Sequence, residues 1–310
     1  MKKYITKLSN HCYYGNIVNI LNYFGVQINE AEFVLLSEIL NCEYTEGVDY
    51  PLLGFSNDNA LIGLVKLGFN IKDIISENEL FETLSEGYPV LLCLNSNLLN
   101  YSYVFNGTNR KHYIVLLSGD RRSMLISDSY IQTIPRSVFE DIIDFEPIYN
   151  SFIEKNIKAT SVIPMKIKSI NSINYEKYMD DYILTNISQM SNSIINHIKI
   201  FSENIIDRAE KILLDSHLND MVYNFKFSGG LVRFDFLDKL FKSYYELPSG
   251  IIESLFKLKT QWNIVINKWM KCCVIKNKDY YKKIFDKEII VLLEQELSLY
   301  QKIAVYRGLL

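Results

Sequence analysis

"HYIVLLSGDRRSMLISDSY", residues 112–130, holds two apolar runs separated by the turn formers Gly119 and Asp120 and by a pair of arginines. "HYIVLLSG" and "SMLISD" are rich in strand-forming residues, so the stretch reads as two antiparallel strands joined by a short loop. Directly opposed residues of such a pair point to the same face and nearly touch. If Gly119, Asp120 and Arg121 form a three-residue loop, Ser118 stands opposite Arg122 and His112 opposite Asp128. A five-residue loop from Ser118 to Arg122 keeps that register. A two-residue loop offsets it by one residue and makes the contact diagonal or lost. Three-residue loops want their left-handed residue late, whereas Gly119 comes first, so the register stays open.

An imidazole beside a carboxylate asks for a nucleophile. One stands a hundred residues earlier in "SNHCYYGN", residues 9–16, which runs straight into the apolar "IVNILNYFG". The periodicity predicts a helix over 12–24, stopped by Gly25, with Cys12 at its mouth. A helix start has unpartnered N–H groups and a positive dipole end, so a thiol placed there loses its proton more easily. Nucleophilic cysteine chemistry needs that thiolate, a base within reach and a group to orient the base. Of the four histidines, His112 is the one that opens a strand, and Asp128 closes the next. The expected triad is Cys12, His112 and Asp128. Cys12 would attack an acyl carbonyl, its own N–H and Asn10, the nearest amide side chain, would meet the oxyanion, and His112 would activate water or an amine.

Plainer readings exist for each residue. Cys12 is also a good small core residue, His112 a sheet-edge histidine, and Asp128 a starter of the turn "DSY" through its own backbone. His11 is a pocket or cap residue, since neighbours on a helix diverge. Tyr13, Tyr14 and Tyr50 are candidates to line an aromatic acyl pocket, against ordinary core packing. Cys42, Cys93, Cys272 and Cys273 read as structural, and His197 and His217 as packing or surface residues. "NRK" (109–111) and "RR" (121–122) would meet an acidic partner or its phosphate, or simply be solvated.

Outward from these two stretches, the first half alternates short elements. "INEAEFVLLSEIL" is expected to be a helix capped by Asn29, with Phe33, Leu36, Ile39 and Leu40 as its stripe. "NCEYTEGVDYPLLGFSNDN" reads as a long loop, and "NALIGLVKLG" as a helix closed by Gly68. "FNIKDII" and "PVLLCLN" are strands around the helix "ENELFETLSEG", and "IPRSVFEDII" is a helix with Pro135 in its first turn. From about 170 onward the chain reads as long amphipathic helices, the first broken near Ser193 or His197. The expectation is an α+β domain over 1–165, helices packed on an antiparallel sheet, then an all-helical domain over 166–310 that caps the pocket or docks a carrier protein.

Composition sets the outer limits. The 310 residues are 48% hydrophobic and 22% charged, enough for a sizeable core. A net charge of -3 gives no support to nucleic-acid binding. The basic start lacks a following apolar segment, and no run has the roughly 18 apolar residues of a membrane span, so neither export nor a membrane partner is expected. Five irregularly spaced cysteines make no disulfide framework and no zinc pattern, which fits a reduced, cytoplasmic protein with no metal.

"NHCYYGNIVNILNYFG", the following "INEAEF", and "HYIVLLSG…MLISD…IPRSVFEDII" together resemble the N-terminal domain of the butirosin biosynthesis protein H family, over roughly residues 8–145. That family is similar to papain-like and bacteriocin-processing cysteine peptidases, and the chain is also similar to amide-forming enzymes of closthioamide-type biosynthesis. The resemblance implies a papain-like fold with Cys12 as nucleophile, His112 as base and Asp128 as orienter. It implies a natural-product acyltransferase that takes an acyl group from the phosphopantetheine thioester of an acyl or peptidyl carrier protein and passes it to a small amine. No cofactor of its own is implied, since phosphopantetheine arrives with the carrier. The alternative is a cysteine peptidase or amidase using the same triad. Two features depart from the pattern. The glycine-rich loop after the second helix is replaced by "NCEYTEGVDYPLLGFSN", and Thr6 and Lys7 stand where peptidases place a glutamine before the cysteine.

Overall fold

A computed structural model of the chain describes residues 3–40, 43–46, 51–54, 59–102, 111–131, 135–153, 159–203 and 231–310. Helix α1 (Cys12–Tyr23) begins at His11, whose backbone is extended and whose Nδ1 accepts the Tyr13 N–H at 3.2 Å. This satisfies one of the unpartnered donors of the first turn. Helix α2 (Glu30–Leu36) starts on a reciprocal cap: Asn29 Oδ1 accepts the Glu32 N–H at 3.0 Å, and Glu32 Oε2 accepts the Asn29 N–H at 2.8 Å. It ends four residues short of the expected stripe, where Glu38 turns left-handed at φ 59, although Ile39 and Leu40 are still buried.

The long loop expected after α2 contains a hairpin instead, β1 (Glu43–Glu46) and β2 (Pro51–Gly54), with Glu43 opposite Gly54. Four-residue strands are too short to show a periodicity in sequence. Next come α3 (Ala60–Leu67), β3 (Phe69–Ile74), α4 (Glu77–Ser85), β4 (Val90–Asn95), β5 (Lys111–Gly119), β6 (Ser123–Ile131), β7 (Ser137–Asp144), α5 (Glu146–Ile153) and β8 (Ala159–Pro164). Strands β3 to β8 form one antiparallel sheet in the order β3-β8-β4-β5-β6-β7.

Strand β7 corrects the sequence reading, which made it a helix after Pro135. It pairs with β6 from Ser123↔Asp144 to Ile131↔Ser137. Val138, Ile142 and Ile143 suit a strand, and an open edge of β6 offers ladder bonds that outweigh the weak helical stripe.

One face of the sheet carries Leu92, Leu94, Ile114, Leu116, Met124 and Ile126, packed with Leu80 and Leu84 of α4 and with Phe145 and Ile148. Helix α1 packs on β5 and β6, and Gly15 lets it approach closely. A Cβ at Gly15 would lie 2.0 Å from Ser9 Cβ and 3.1 Å from Ser129 Oγ. Gly15→Ala is therefore expected to lower stability by about 1–3 kcal/mol in denaturant titration. Adding Ser9→Gly to the same chain, which removes the nearest clashing atoms, recovers part of that loss.

The chain divides into two compact units, Met1–Phe33 with Ala60–Ile173, and Val34–Asn59 with Asn174–Leu310. The described part of the second unit beyond Asn174 is helical: α6 (Tyr175–Gln189), α7 (Ile195–Glu203), α8 (Val232–Tyr244), α9 (Ser249–Ile275), α10 (Lys278–Ile284) and α11 (Ile290–Tyr306). The break expected near Ser193 is a π-helical stretch, Met190–Ile194, after which Ser193 Oγ lies 3.0 Å from His197 Nδ1. A second π stretch, Phe285–Ile289, precedes α11. At the core of this unit the buried pair Arg233–Glu296 closes at 2.6 Å. Trp262 Nε1 and Tyr300 Oη also donate to Glu296, at 3.1 and 2.9 Å, and Tyr182 meets the Tyr300 hydroxyl at 2.7 Å. No helix among the described residues is long and apolar enough to cross a membrane. The α+β first half followed by a helical region is as the sequence leads one to expect.

Candidate active site

How His112 comes to Asp128 depends on one extra residue. Asp120 N donates to Ser123 O at 2.9 Å, and Asp120 Oδ1 accepts the Arg122 and Ser123 N–H groups, which leaves Arg121 and Arg122 as a two-residue loop. Gly119, at φ 155, is required here, because a Cβ would come within 2.4 Å of Ser123 O. The ladder starts Gly119↔Met124 and Ser118↔Leu125, a register that by itself would oppose Asp128 to Val115 and turn His112 to the other face. Leu117, however, is skipped. It forms a bulge, and the pairing resumes as Leu116↔Ile126 and Val115↔Ser127. Asp128 now falls opposite Ile114, and His112, two positions on, shares its face. The direct opposition expected from a three-residue loop is thus replaced by a diagonal contact, and His112 Nε2 lies 2.6 Å from Asp128 Oδ2.

Carried one step further, the register would set Tyr113 against Ser129. Asn16 of α1 takes both groups instead: its Nδ2 donates to Tyr113 O at 2.7 Å, and its Oδ1 accepts the Ser129 N–H at 3.3 Å. This fully buried amide sits one helical turn past Cys12 and acts as a bridge between the two strands. Ser9 adds a second tie, donating its N–H to Ser129 O at 3.0 Å. The helix of Cys12 and the strands of His112 and Asp128 are therefore joined by hydrogen bonds in a buried interface, where such bonds are costly to break.

Asp128 is almost wholly buried and His112 about 15% exposed. Besides His112, Asp128 Oδ2 accepts the Tyr101 hydroxyl at 3.1 Å, and Oδ1 accepts the Tyr130 N–H at 3.0 Å. The backbone-turn reading of Asp128 and the imidazole-orienting reading are thus both true of the geometry. Cys12 is close enough to the same imidazole to influence its charge. With Nε2 committed to Asp128, the nitrogen left for Cys12 is Nδ1. Burial pushes the His112 imidazole down, but the charge and hydrogen bond of Asp128, with Cys12 beside it, hold it well above its usual 6.5. A histidine with a carboxylate on one ring nitrogen and a cysteine close by is an arrangement that nucleophilic thiol chemistry can use.

The remaining candidates are placed as follows. His11 is the α1 cap, its ring 4.5 Å from that of Tyr14. Tyr13 and Tyr14 are buried, and Tyr13 lies 4.6 Å from the Tyr113 ring, so both belong to the packing under α1. Asn10 gives its Nδ2 and its backbone N–H to Glu30 Oε2, at 3.2 and 2.8 Å, and accepts from Arg136 at 3.2 Å. Its amide is thus committed to a carboxylate. Thr6 is likewise engaged by Ser127 and Glu140. Arg121 of the "RR" pair is held by Glu77. Tyr50, Cys42, His217, Asn109 and Arg110 lie outside the described residues. Cys93 is buried on β4 opposite Tyr113, and burial pushes its thiol up; burial also pushes Cys272 up, to about 11.

Sequence reading missed Asn16 and Tyr101. Asn16 had a signal, because Asn16, Asn19 and Asn22 recur every third residue in an otherwise apolar helix. Asn19 and Asn22, like Asn16, are spent on backbone carbonyls, of Lys7 and of Val18 and Ile28. Tyr101 had none, standing in a turn after β4 among many tyrosines.

No family model matches the chain, and no curated protein matches it. Among solved structures it is similar to the peptidase domain of Streptococcus ComA, a bifunctional ABC transporter involved in a quorum-sensing pathway. That likeness has 16% identity over 53% of this chain and 100% of that one, with a TM-score of 0.36. It is similar also to a Bacillus anthracis protein described as a C39-like peptidase, 16% identical over 54% of this chain and 94% of that one, with a TM-score of 0.35.

Proposed function

We propose that the chain is a cysteine-dependent acyltransferase that takes an acyl group from a carrier-protein thioester and passes it to a small amine. The observation that carries this reading is the grouping of Cys12, at a helix start, with a His112 imidazole that is hydrogen-bonded to Asp128 and whose pKa is raised by it. The scaffold would be papain-like in the order of its parts. The cysteine thiolate attacks the thioester carbonyl, the bond to the carrier's sulfur breaks, and His112 gives that sulfur its proton. Neutral His112 then accepts a proton from the amine as its nitrogen attacks the acyl carbon, and the bond to Cys12 breaks. The thiolate–imidazolium pair is restored.

A thioester as donor, rather than a peptide, is favoured by the donors around the sulfur. The Cys12 N–H has no carbonyl to bond within its helix, whereas Asn10 and Thr6 are committed elsewhere. A thioester carbonyl is already reactive and asks less of an oxyanion site than an amide does. The free thiols Cys12, Cys93 and Cys272 agree with a reducing, cytoplasmic setting.

The test is intact-mass analysis after incubation with an acyl carrier protein thioester, with and without an amine. An acyl adduct on the wild type, absent from Cys12→Ala, and amide product rising with amine concentration are expected. No adduct on the wild type overturns the nucleophile, and free acid as the sole product at every amine concentration overturns transfer in favour of hydrolysis.

A further inference from the structure

We infer that Tyr101 is a positioning residue of this site: by sharing Asp128 Oδ2 with His112, its hydroxyl sets how strongly the carboxylate holds the imidazolium. The inference rests on the triad proposed above and deepens it. Asp128 has three donors, and two of them, the His112 Nε2–H and the Tyr101 O–H, fall on the same oxygen at 2.6 and 3.1 Å. The Tyr101 ring is held parallel to that of Phe139, their centroids 3.9 Å apart. Phe139 is the residue of β7 directly opposite Asp128. The hydroxyl is therefore aimed by a clamp built on the strand that flanks the carboxylate.

Two consequences follow from this placement. Burial, then the charge of Asp128, pushes the Tyr101 phenol well above 10, so it stays a donor throughout the range in which His112 changes charge. A second donor on one carboxylate oxygen draws negative charge away from the first bond. His112 is then held less tightly than by an unshared aspartate. Acyl transfer needs this moderation, because His112 must give up its proton in the first half-reaction and take one in the second. An imidazolium locked by a naked carboxylate would stall there. Tyr101 touches neither substrate nor sulfur; it acts through Asp128.

Tyr101→Phe keeps the ring and its stacking and removes only the hydroxyl. His112 titration followed by nitrogen-15 NMR, and the pH dependence of Cys12 alkylation by iodoacetamide, are the two readouts. Relative to the wild type, the variant is expected to move the His112 midpoint upward by about half a unit to one unit. Its alkylation profile shifts the same way, with rapid alkylation retained. A midpoint that stays in place or falls overturns the inference and leaves Tyr101 a packing residue, even if rates drop at every pH. Failure of the underlying site looks different: wild-type Cys12 would then alkylate no faster than an ordinary thiol at mildly acidic pH, and the inference would fall with it.

Discussion

Asp128→Asn is expected to cut the proposed Cys12-dependent acyl transfer by about 10²–10⁴-fold while leaving the sheet intact. The two side chains are nearly the same size, so the loss comes from hydrogen-bond direction. Asp128 accepts from three donors, the His112 ring, the Tyr101 hydroxyl and the Tyr130 N–H. An amide has only one oxygen for them. If that oxygen keeps Tyr130, the NH₂ faces His112 and forces Nε2 to accept, which puts the ring proton on Nδ1, towards Cys12. If the amide flips, its NH₂ meets the Tyr130 N–H, donor against donor, in a site that excludes water. Either way His112 loses the charge that holds it protonated, and its titration moves down. Activity within threefold of the wild type would remove Asp128 from the orienting role.

The same pair carries a pH dependence of stability whose direction is set by His112. Its folded-state pKa lies above the unfolded value of about 6.5. The stabilisation is therefore fully present below about 6.5 and is lost as pH rises through the raised folded value. In Asp128→Asn that dependence disappears, so denaturation midpoints at mildly acidic and alkaline pH should differ less than in the wild type.

Glu296→Ala is the second large effect, on stability of the helical unit. The carboxylate is about 1% exposed and accepts from Arg233, Trp262 and Tyr300. Removing it takes from the buried guanidinium and from the indole N–H the carboxylate they share, a loss of about 3–5 kcal/mol. The cost belongs to breaking the pair, not to lacking one. A combined Arg233→Met and Glu296→Leu replacement, which withdraws both charges, is expected to recover most of the loss. Chemical denaturation followed by helical circular dichroism measures both. A single-variant loss below about 1 kcal/mol would mean that the surrounding apolar packing alone holds these helices.

The sequence disclosed the parts of the site better than their assembly. Cys12 at a helix mouth and His112 and Asp128 on consecutive strands were legible because each sits at an element boundary with a local signal. Their register was not, because it depends on Leu117, an apolar residue among others that carries no mark of being skipped. Strand β7 was misread for a related reason: Val138, Phe139, Ile142 and Ile143 fit a helical stripe as well as a strand, and only pairing with β6 decides. The β1–β2 hairpin was hidden by its brevity. Asn16 and Tyr101 show the other limit. Their roles exist only across the fold, between residues about a hundred positions apart in one case and twenty-seven in the other.

Asn16 has a mechanical consequence. Its amide fastens the helix that carries Cys12 to the backbones of Tyr113, the neighbour of His112, and of Ser129, the neighbour of Asp128. The three chemical groups thus share one bracket. Any load that levers the helix outward drags both strands with it, so the sulfur and the imidazole travel together and the spacing between them survives the strain.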